Sequence, residues 1–93
     1  MSDPPVLRRR VIVRGRVQGV FFRDETRREA ERRGVAGWIR NEADGSVQAV
    51  FEGEMEGVDA IVRFCREGPG RAEVSEVEEH EEQPEGLGGF EVR

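Results

Sequence analysis

The chain has 93 residues, which is enough for one domain with a buried core and too few for a second domain. Its net charge of −5 argues against a general nucleic-acid binder, because such proteins gain affinity by neutralising phosphates. All fifteen basic residues are arginines, which excludes mechanisms that need a lysine, such as Schiff-base catalysis and the lysine-containing GxxxxGK phosphate loop.

Membrane insertion, disulfide formation and metal binding also find no support in the sequence. No apolar run approaches the roughly 18 residues that span a bilayer, and no apolar segment of a signal peptide follows the first basic cluster. The single cysteine, Cys65, excludes an internal disulfide and has no cysteine or histidine neighbour at metal-ligand spacing. We therefore expect a cytoplasmic monomer with no membrane or nucleic-acid partner, no metal and no cofactor.

The first half of the chain predicts a strand, a helix and a hairpin. Residues 1–7 contain two prolines and predict a flexible leader, so the folded domain is expected to span residues 8–93. The β-branched segment RRRVIVRG predicts a strand over residues 8–15, and apolar residues four apart predict a helix over residues 22–33. The segments VAGWIR and SVQAVFEG flank an Asp-Gly pair, which is typical of the turn in an antiparallel hairpin.

The second half repeats this order. Apolar residues spaced three and four apart, among them Cys65, predict a helix that the EGPG segment ends, and Cys65 is expected to be a small buried hydrophobe. Strand patterns follow in AEVSEVEEH and in the final FEVR, and the acidic run over residues 73–85 is expected to form a solvent-facing strand and loop. The order βαββαβ, with a possible short fifth strand, predicts an α+β, ferredoxin-like two-layer sandwich. Its antiparallel sheet is expected to carry both helices on one face.

The loop GRVQGVFFR, residues 15–23, carries a pattern suited to an anion. Gly15 and Gly19 allow backbone angles that let successive N–H groups surround a concavity, and the following helix start adds free N–H groups and partial positive charge. Arg23 lies in the first helical turn, where a cation is unfavourable unless an anion is bound in front of it. Its planar donor fork matches phosphate oxygens, so the loop predicts a phosphoryl-binding site.

Asn41 is the candidate for a second functional group, because it follows the strand that leads into the predicted hairpin. An amide can orient a water molecule but cannot deprotonate it. An acyl phosphate suits such a site, because its leaving group is a carboxylate, whose conjugate acid has a pKa of about 4, and it departs without a metal or a general acid. From spacing alone, Asn41 is more readily explained as a turn-forming residue.

These segments resemble the acylphosphatase family. VRGRVQGVFFRDETRREA is similar to the family's phosphate-binding loop and helix start, GWIRNEADGSVQAVFEGE is similar to its second motif, and the likeness continues through VDAIVRFCREGPGRAEVSEVE. The resemblance implies an enzyme that hydrolyses acyl phosphates to a carboxylate and inorganic phosphate, the latter also an inhibitor, without metal or cofactor. It implies that Arg23 holds the phosphoryl group, that Asn41 positions the attacking water and that Thr26 supports the geometry. The residues it implies in phosphate binding are Gly15, Arg16, Val17, Gln18, Gly19, Val20 and Arg23.

Two functions of other kinds stay open. The βαββαβ order also serves RNA-binding modules, which stack bases on aromatic residues of the central strands, although Phe51 is the one aromatic that the hairpin strand offers here. The same loop also suits a non-catalytic phosphate-binding module, or a carbamoyl-phosphate-handling module like the one that begins larger hydrogenase-maturation proteins.

For the other aromatic residues we expect packing roles, with Phe21 and Phe22 as core and loop anchors and Trp38 against a sheet face.

Overall fold

The protein is a two-layer sandwich of a five-stranded sheet and two helices. A computed structural model describes residues 5–93. The sheet order is β4-β1-β3-β2-β5, and the two helices share one hydrophobic core against one face of the sheet, which confirms the predicted ferredoxin-like fold. The elements are β1 (Val6–Arg16), α1 (Phe22–Arg32), β2 (Ala36–Asn41), β3 (Val47–Glu54), α2 (Met55–Glu67), β4 (Glu73–Glu82) and β5 (Phe90–Val92).

The strand pairing corrects two expectations. The sheet is mixed and not wholly antiparallel, because the short β5 runs parallel to β2 while the other three pairings are antiparallel. β1 begins at Val6, since Val6 and Leu7 pair with Glu54 and Gly53 of β3, so these two residues are part of the sheet and not of a leader. The rest of the predicted leader, residues 1–4, lies outside the described residues.

The core lies between the sheet and the two helices. Alternate residues of β1 and β3 face the helices, as period-two strands require, and the buried faces of α1 and α2 close over them. Cys65 is fully buried in α2, where desolvation raises its pKa to about 12, which confirms its role as a small hydrophobe. No helix within residues 5–93 combines the length and the apolar character needed to cross a bilayer. The residues that fill this core are Val11, Val13, Val17, Phe22, Ala30, Val35, Ile39, Val47, Ala49, Phe51, Val58, Ile61, Val62 and Cys65.

The other face of the sheet, which we call the open face, is held by ion pairs. The buried guanidinium of Arg8 donates to Glu52 (2.7 Å) and to Glu82 (2.8 Å), and Arg10 also donates to Glu82 (2.6 Å). The hydrogen bonds from Arg10 and Arg8 lower the pKa of Glu82 to about 2. The expectation that the whole acidic run faces solvent is therefore wrong for Glu82, because the β1–β4 register places it opposite Arg8.

Glu52 also fastens the segment that follows β4. Its carboxylate accepts hydrogen bonds from the backbone N–H groups of Glu85 (2.9 Å), Gly86 (3.0 Å) and Leu87 (3.1 Å). Burial alone would raise the pKa of Glu52, but these bonds and the one from Arg8 outweigh burial and lower it. The connection to β5 is thus tied to the middle of the sheet, which fixes where the last strand begins.

Trp38 packs on the open face among arginines. The guanidinium groups of Arg40, Arg93 and Arg10 lie 4.7, 5.0 and 5.5 Å from the centre of a Trp38 ring, which is within the range of cation–π attraction. The side chain is almost fully buried. The predicted packing role of Trp38 is confirmed.

Candidate functional site

The loop between β1 and α1, residues 17–21, presents the N-terminus of α1. The first helical hydrogen bond after the loop runs from the Glu25 N–H to the Phe21 carbonyl (3.0 Å), so the N–H groups of Phe22, Arg23 and Asp24 precede it and can serve an outside acceptor. The N-cap residue, Phe21, makes no side-chain capping bond. A helix start of this kind attracts an anion through its N–H groups and its partial positive charge.

Gly15 shapes the entrance to this loop. It has a φ of 131° at a β-bulge after Arg14, and a side chain there would bring a Cβ within 2.1 Å of the Glu73 carbonyl oxygen. Gly15 and Arg16 pair with Val74 and Glu73 of β4. These two predicted phosphate-binding residues therefore lie in the sheet behind the loop, where Gly15 allows β4 to approach closely.

A cavity of about 450 Å³ brings the two principal predicted residues together. Arg23 reaches it from the first turn of α1 and Asn41 from the end of β2, and Gly19 of the preceding loop also lines it. A larger groove of about 680 Å³ lies near the other end of α1, between Arg33 and Arg63, and contains none of the predicted site residues. The residues that line the first cavity are Val17, Gly19, Phe21, Phe22, Arg23, Asp24, Arg27, Asn41 and Val92.

Arg23 is left to face this cavity because its neighbours pair with one another. Asp24 pairs with Arg27 (2.7 Å) and Arg28 (3.1 Å), and the hydrogen bond from Arg27 holds the pKa of the Asp24 carboxyl below its usual range. Glu29 pairs with arginines at the other end of the helix. Neither carboxylate pairs with Arg23. Arg23 itself donates a long hydrogen bond of 3.4 Å to the carbonyl oxygen of residue 93.

Gln18 connects the loop to the turn that follows Asn41. Its side-chain amide donates to the carbonyl oxygens of Glu42 (2.8 Å) and Ser46 (2.9 Å). The turn is itself closed by Asp44, whose carboxylate accepts from the N–H of Ser46 (2.9 Å). The family resemblance implies a role for Gln18 in phosphate binding, but nothing in the spacing of the sequence indicates that its side chain connects the loop to the hairpin.

The remaining predicted site residues, Val17 and Val20 of the loop and Thr26 of α1, pack in or against the core. Val17 is buried in the core and Val20 packs against it. Thr26 is fully buried one turn into α1, where its hydroxyl opposes the effect of burial on the Cys65 pKa, although Oγ1 makes no hydrogen bond of normal geometry within the described residues. Val17 also lines the cavity, whereas Val20 and Thr26 are not among its lining residues.

The two adjacent phenylalanines have opposite environments. Phe22 is 1% exposed and packs in the core, as expected of an anchor. Phe21 is 78% exposed and adopts a left-handed φ of 61°, so the expectation of an anchoring role is wrong for this residue. Phe21 precedes the helix in a left-handed conformation, so the helical period that buries Phe22 does not extend to it.

The geometry gives no support to the RNA-binding alternative. Phe51, the aromatic available for stacking, is fully buried beneath the helices. On the central strands β1 and β3, the open face carries the charged and polar side chains of Arg8, Arg10, Gln48 and Glu52. A stacking platform of the RNA-binding type is therefore missing from the described part of these strands.

A ferredoxin-like sandwich whose helix start, Arg23 guanidinium and Asn41 amide line one cavity defines a small α+β protein suited to binding a phosphoryl group. The Acylphosphatase family profile matches residues 9–92, and the chain belongs to the acylphosphatase family. Its reaction is the hydrolysis of acyl phosphates, with an acyl phosphate as substrate and phosphate as product.

Individual relatives agree with this assignment. An acylphosphatase of Rubrobacter xylanophilus is 62% identical over 85 residues, which are 90% of this chain and 77% of the relative. One of Haloarcula marismortui is 56% identical over 86 residues, 92% of this chain and 94% of the relative. The solved structure of an acylphosphatase from Coxiella burnetii has a TM-score of 0.90 at 38% identity and covers 95% of this chain and 93% of its own.

Proposed function

We propose that Arg23 and the loop of residues 17–21 hold the phosphoryl group of the acyl phosphate, that Asn41 positions the attacking water, and that no metal takes part. The observation that carries this division of roles is the single cavity shared by the guanidinium, the uncapped helix start and the amide. The guanidinium and the helix start belong to α1 and the amide to β2, and the Gln18 hydrogen bonds connect the loop before α1 to the turn after β2.

The proposed role of Arg23 follows from the charge of the substrate. Charge spreads over the phosphoryl oxygens as the bond to the leaving group lengthens, and a planar donor fork can contact two oxygens at once. The helix N–H groups add donors that are already oriented, so little reorganisation accompanies the reaction. Because Asp24 is engaged by Arg27 and Arg28, the charge of Arg23 is available to the substrate.

The proposed role of Asn41 is orientation and not proton transfer. The water oxygen attacks phosphorus, the bond from phosphorus to the acyl oxygen breaks, and the carboxylate departs with that electron pair. The phosphoryl oxygens take the proton of the water, so the site needs no strong base. Asp24 also lines the cavity, but its lowered pKa makes it a poor base. Departure of a carboxylate, whose conjugate acid has a pKa of about 4, needs no general acid.

We also propose that one chain is the working unit in the cytoplasm and that it has no nucleic-acid or membrane partner. Arg23 and Asn41 of one chain line the same cavity, which supports a complete site in a monomer. The net charge of −5 opposes association with polyanions. Light scattering of the eluting protein tests the first point, and a dimer as the active species would contradict it.

Hydrolysis of benzoyl phosphate in the presence of a chelator tests the proposed mechanism. Arg23→Ala is expected to lower kcat/KM by at least about 10²-fold and to weaken inhibition by phosphate, because a charge-assisted fork is lost from the site. Arg23→Lys is expected to lower kcat/KM as well, since the point charge of a lysine does not replace the planar donor fork of the guanidinium. Asn41→Ala is expected to lower kcat while inhibition by phosphate stays nearly unchanged.

The matched control is Arg32→Ala, which removes an exposed guanidinium from the far end of the same helix. It is expected to leave both kcat and phosphate inhibition unchanged. Loss of activity with chelator would contradict the metal-free mechanism. Equal loss of turnover and phosphate affinity in Asn41→Ala would mean that Asn41 is structural, and unchanged phosphate inhibition in Arg23→Ala would remove Arg23 from phosphate binding.

A further inference from the structure

Part of the cavity lining is apolar and exposed to solvent, and neither the phosphoryl group nor the water accounts for this. Among the described residues, the exposed large hydrophobic side chains are Val6, Phe21, Met55 and Val92. Two of these, Phe21 at 78% and Val92 at 41% exposure, line the cavity that holds Arg23 and Asn41. We call this pair the apolar rim.

Phe21 combines two unfavourable features that packing does not explain. Within residues 5–93, Phe21 is the one non-glycine residue with a positive φ, which is 61°. Aromatic residues rarely adopt this conformation. Its ring is exposed, so the strain is not offset by burial, since the adjacent Phe22 fills the core. Backbone strain of this kind, at a residue that lines a site, points to a role of the exposed side chain in binding.

Val92 belongs to a different wall of the same cavity. It lies in β5, where it pairs with Ile39 of β2, two residues before Asn41. The hydrogen bond from Arg23 to the carbonyl oxygen of residue 93 brings the end of this strand to the start of α1. Phe21, from the loop before α1, and Val92, from β5, therefore both contribute apolar surface to the cavity that the guanidinium lines.

An acyl phosphate has a charged end and an acyl end joined by one oxygen. When Arg23 and the helix start hold the charged end, the acyl group has to lie toward the mouth of the cavity. We propose that Phe21 and Val92 form a binding site for the acyl group and select acyl phosphates with a planar or bulky apolar acyl group over acetyl phosphate. An aromatic ring gains from offset or edge-to-face contact with Phe21, whereas a methyl group is too small to contact both residues. This inference rests on the proposed placement of the phosphoryl group at Arg23.

The kinetic test compares benzoyl phosphate with acetyl phosphate in two variants. Phe21→Asn removes the ring and keeps a residue that tolerates the left-handed conformation, and Val92→Thr is nearly isosteric but polar. The ratio of kcat/KM for benzoyl phosphate to that for acetyl phosphate is expected to fall about tenfold in Phe21→Asn and about threefold in Val92→Thr, mainly through KM. Met55→Ala, at an exposed apolar residue outside the cavity, is the control and is expected to keep the ratio.

Binding of phosphonates separates the rim from the catalytic proposal. Wild-type protein is expected to bind phenylphosphonate more tightly than methylphosphonate in calorimetry, and Phe21→Asn is expected to remove most of this preference. The proposed role of the apolar rim would be overturned if Phe21→Asn and Val92→Thr both kept the kinetic ratio and the phosphonate preference within twofold of wild type. The proposed roles of Arg23 and Asn41 would not be affected by that result. Equal phosphonate binding by wild type and Arg23→Ala would instead overturn the placement of the phosphoryl group, and the rim with it.

Discussion

Replacement of Gln18 by methionine tests whether the hairpin must be fastened to the loop for catalysis. Gln18→Met keeps the length of the side chain and removes both hydrogen bonds, at 2.8 and 2.9 Å, to the carbonyl oxygens of Glu42 and Ser46. Both carbonyls keep a partner, since Glu42 accepts from the Gly45 N–H and Ser46 from the Glu42 N–H. The variant therefore leaves no orphaned acceptor, and the loss is confined to the two bonds themselves.

The expected loss of stability is about 1–2 kcal/mol, because each hydrogen bond contributes on the order of 0.5–1.5 kcal/mol net. Turnover is expected to fall by roughly 10- to 100-fold, since a displacement of about 1 Å between Arg23 and Asn41 has a cost of that order. Urea unfolding followed by the fluorescence of Trp38, the single buried tryptophan, measures the first quantity. Hydrolysis of benzoyl phosphate measures the second.

Gln48→Met is the matched control for Gln18→Met. The Gln48 amide donates to the Glu42 carboxylate (2.6 Å) and accepts from Arg10, so the variant loses a similar set of bonds at the same hairpin but on the open face. It is expected to lose comparable stability and to keep its turnover. If Gln18→Met loses stability and keeps full turnover as well, the connection is only structural and the reasoning about catalytic alignment is refuted.

The remaining predictions concern two titratable groups. The pKa of Glu82 is lowered to about 2 from an ordinary 4.5, so its ion pairs stabilise the fold fully above about pH 4.5, and this contribution is lost as the pH falls through about 2. Glu82→Gln is expected to lower the free energy of unfolding near neutral pH and to flatten its change across that acidic window; urea midpoints that keep the wild-type pH dependence would contradict this. Cys65, with a pKa of about 12, is expected to resist a thiol reagent at mildly alkaline pH until urea unfolds the chain. Rapid modification of the native protein would show that α2 opens locally.

The secondary structure was predictable where local pattern and tertiary packing agree. The helix predicted over residues 22–33 is α1 with its last residue removed, because its apolar spacing is also the spacing that the sheet buries. The start of β1 was missed, since two prolines favoured a leader and only the pairing of Val6 with Glu54 makes that segment a strand. The parallel pairing of β5 was missed for the same reason, because a strand of three residues is defined by its neighbour.

The sequence predicts that Arg23 and Asn41 share one site, and both line the same cavity, but the contacts that support them were not predictable. Arg23 is predicted because a cation in a first helical turn is unfavourable to the helix dipole, whereas Asn41 is predicted mainly from the resemblance of its segment to the family's second motif. The hydrogen bonds of the Gln18 side chain and the exposure of Phe21 depend on the backbone conformation of the loop. This conformation cannot be inferred from the residue types alone. The pairing of Glu82 with Arg8 joins residues far apart in the chain, so only the register of β1 and β4 reveals it.

The acidic strand β4 has a further consequence for behaviour in concentrated solution. β4 is one edge of the sheet, and an edge strand offers unpaired backbone groups on which another chain can add a strand. Six of its ten residues are glutamates, so a second copy laid against this edge would bring carboxylates of like charge together. The acidic strand that pairs with Arg8 and Arg10 through Glu82 thereby also opposes edge-to-edge pairing of two molecules, for as long as its carboxylates stay ionised.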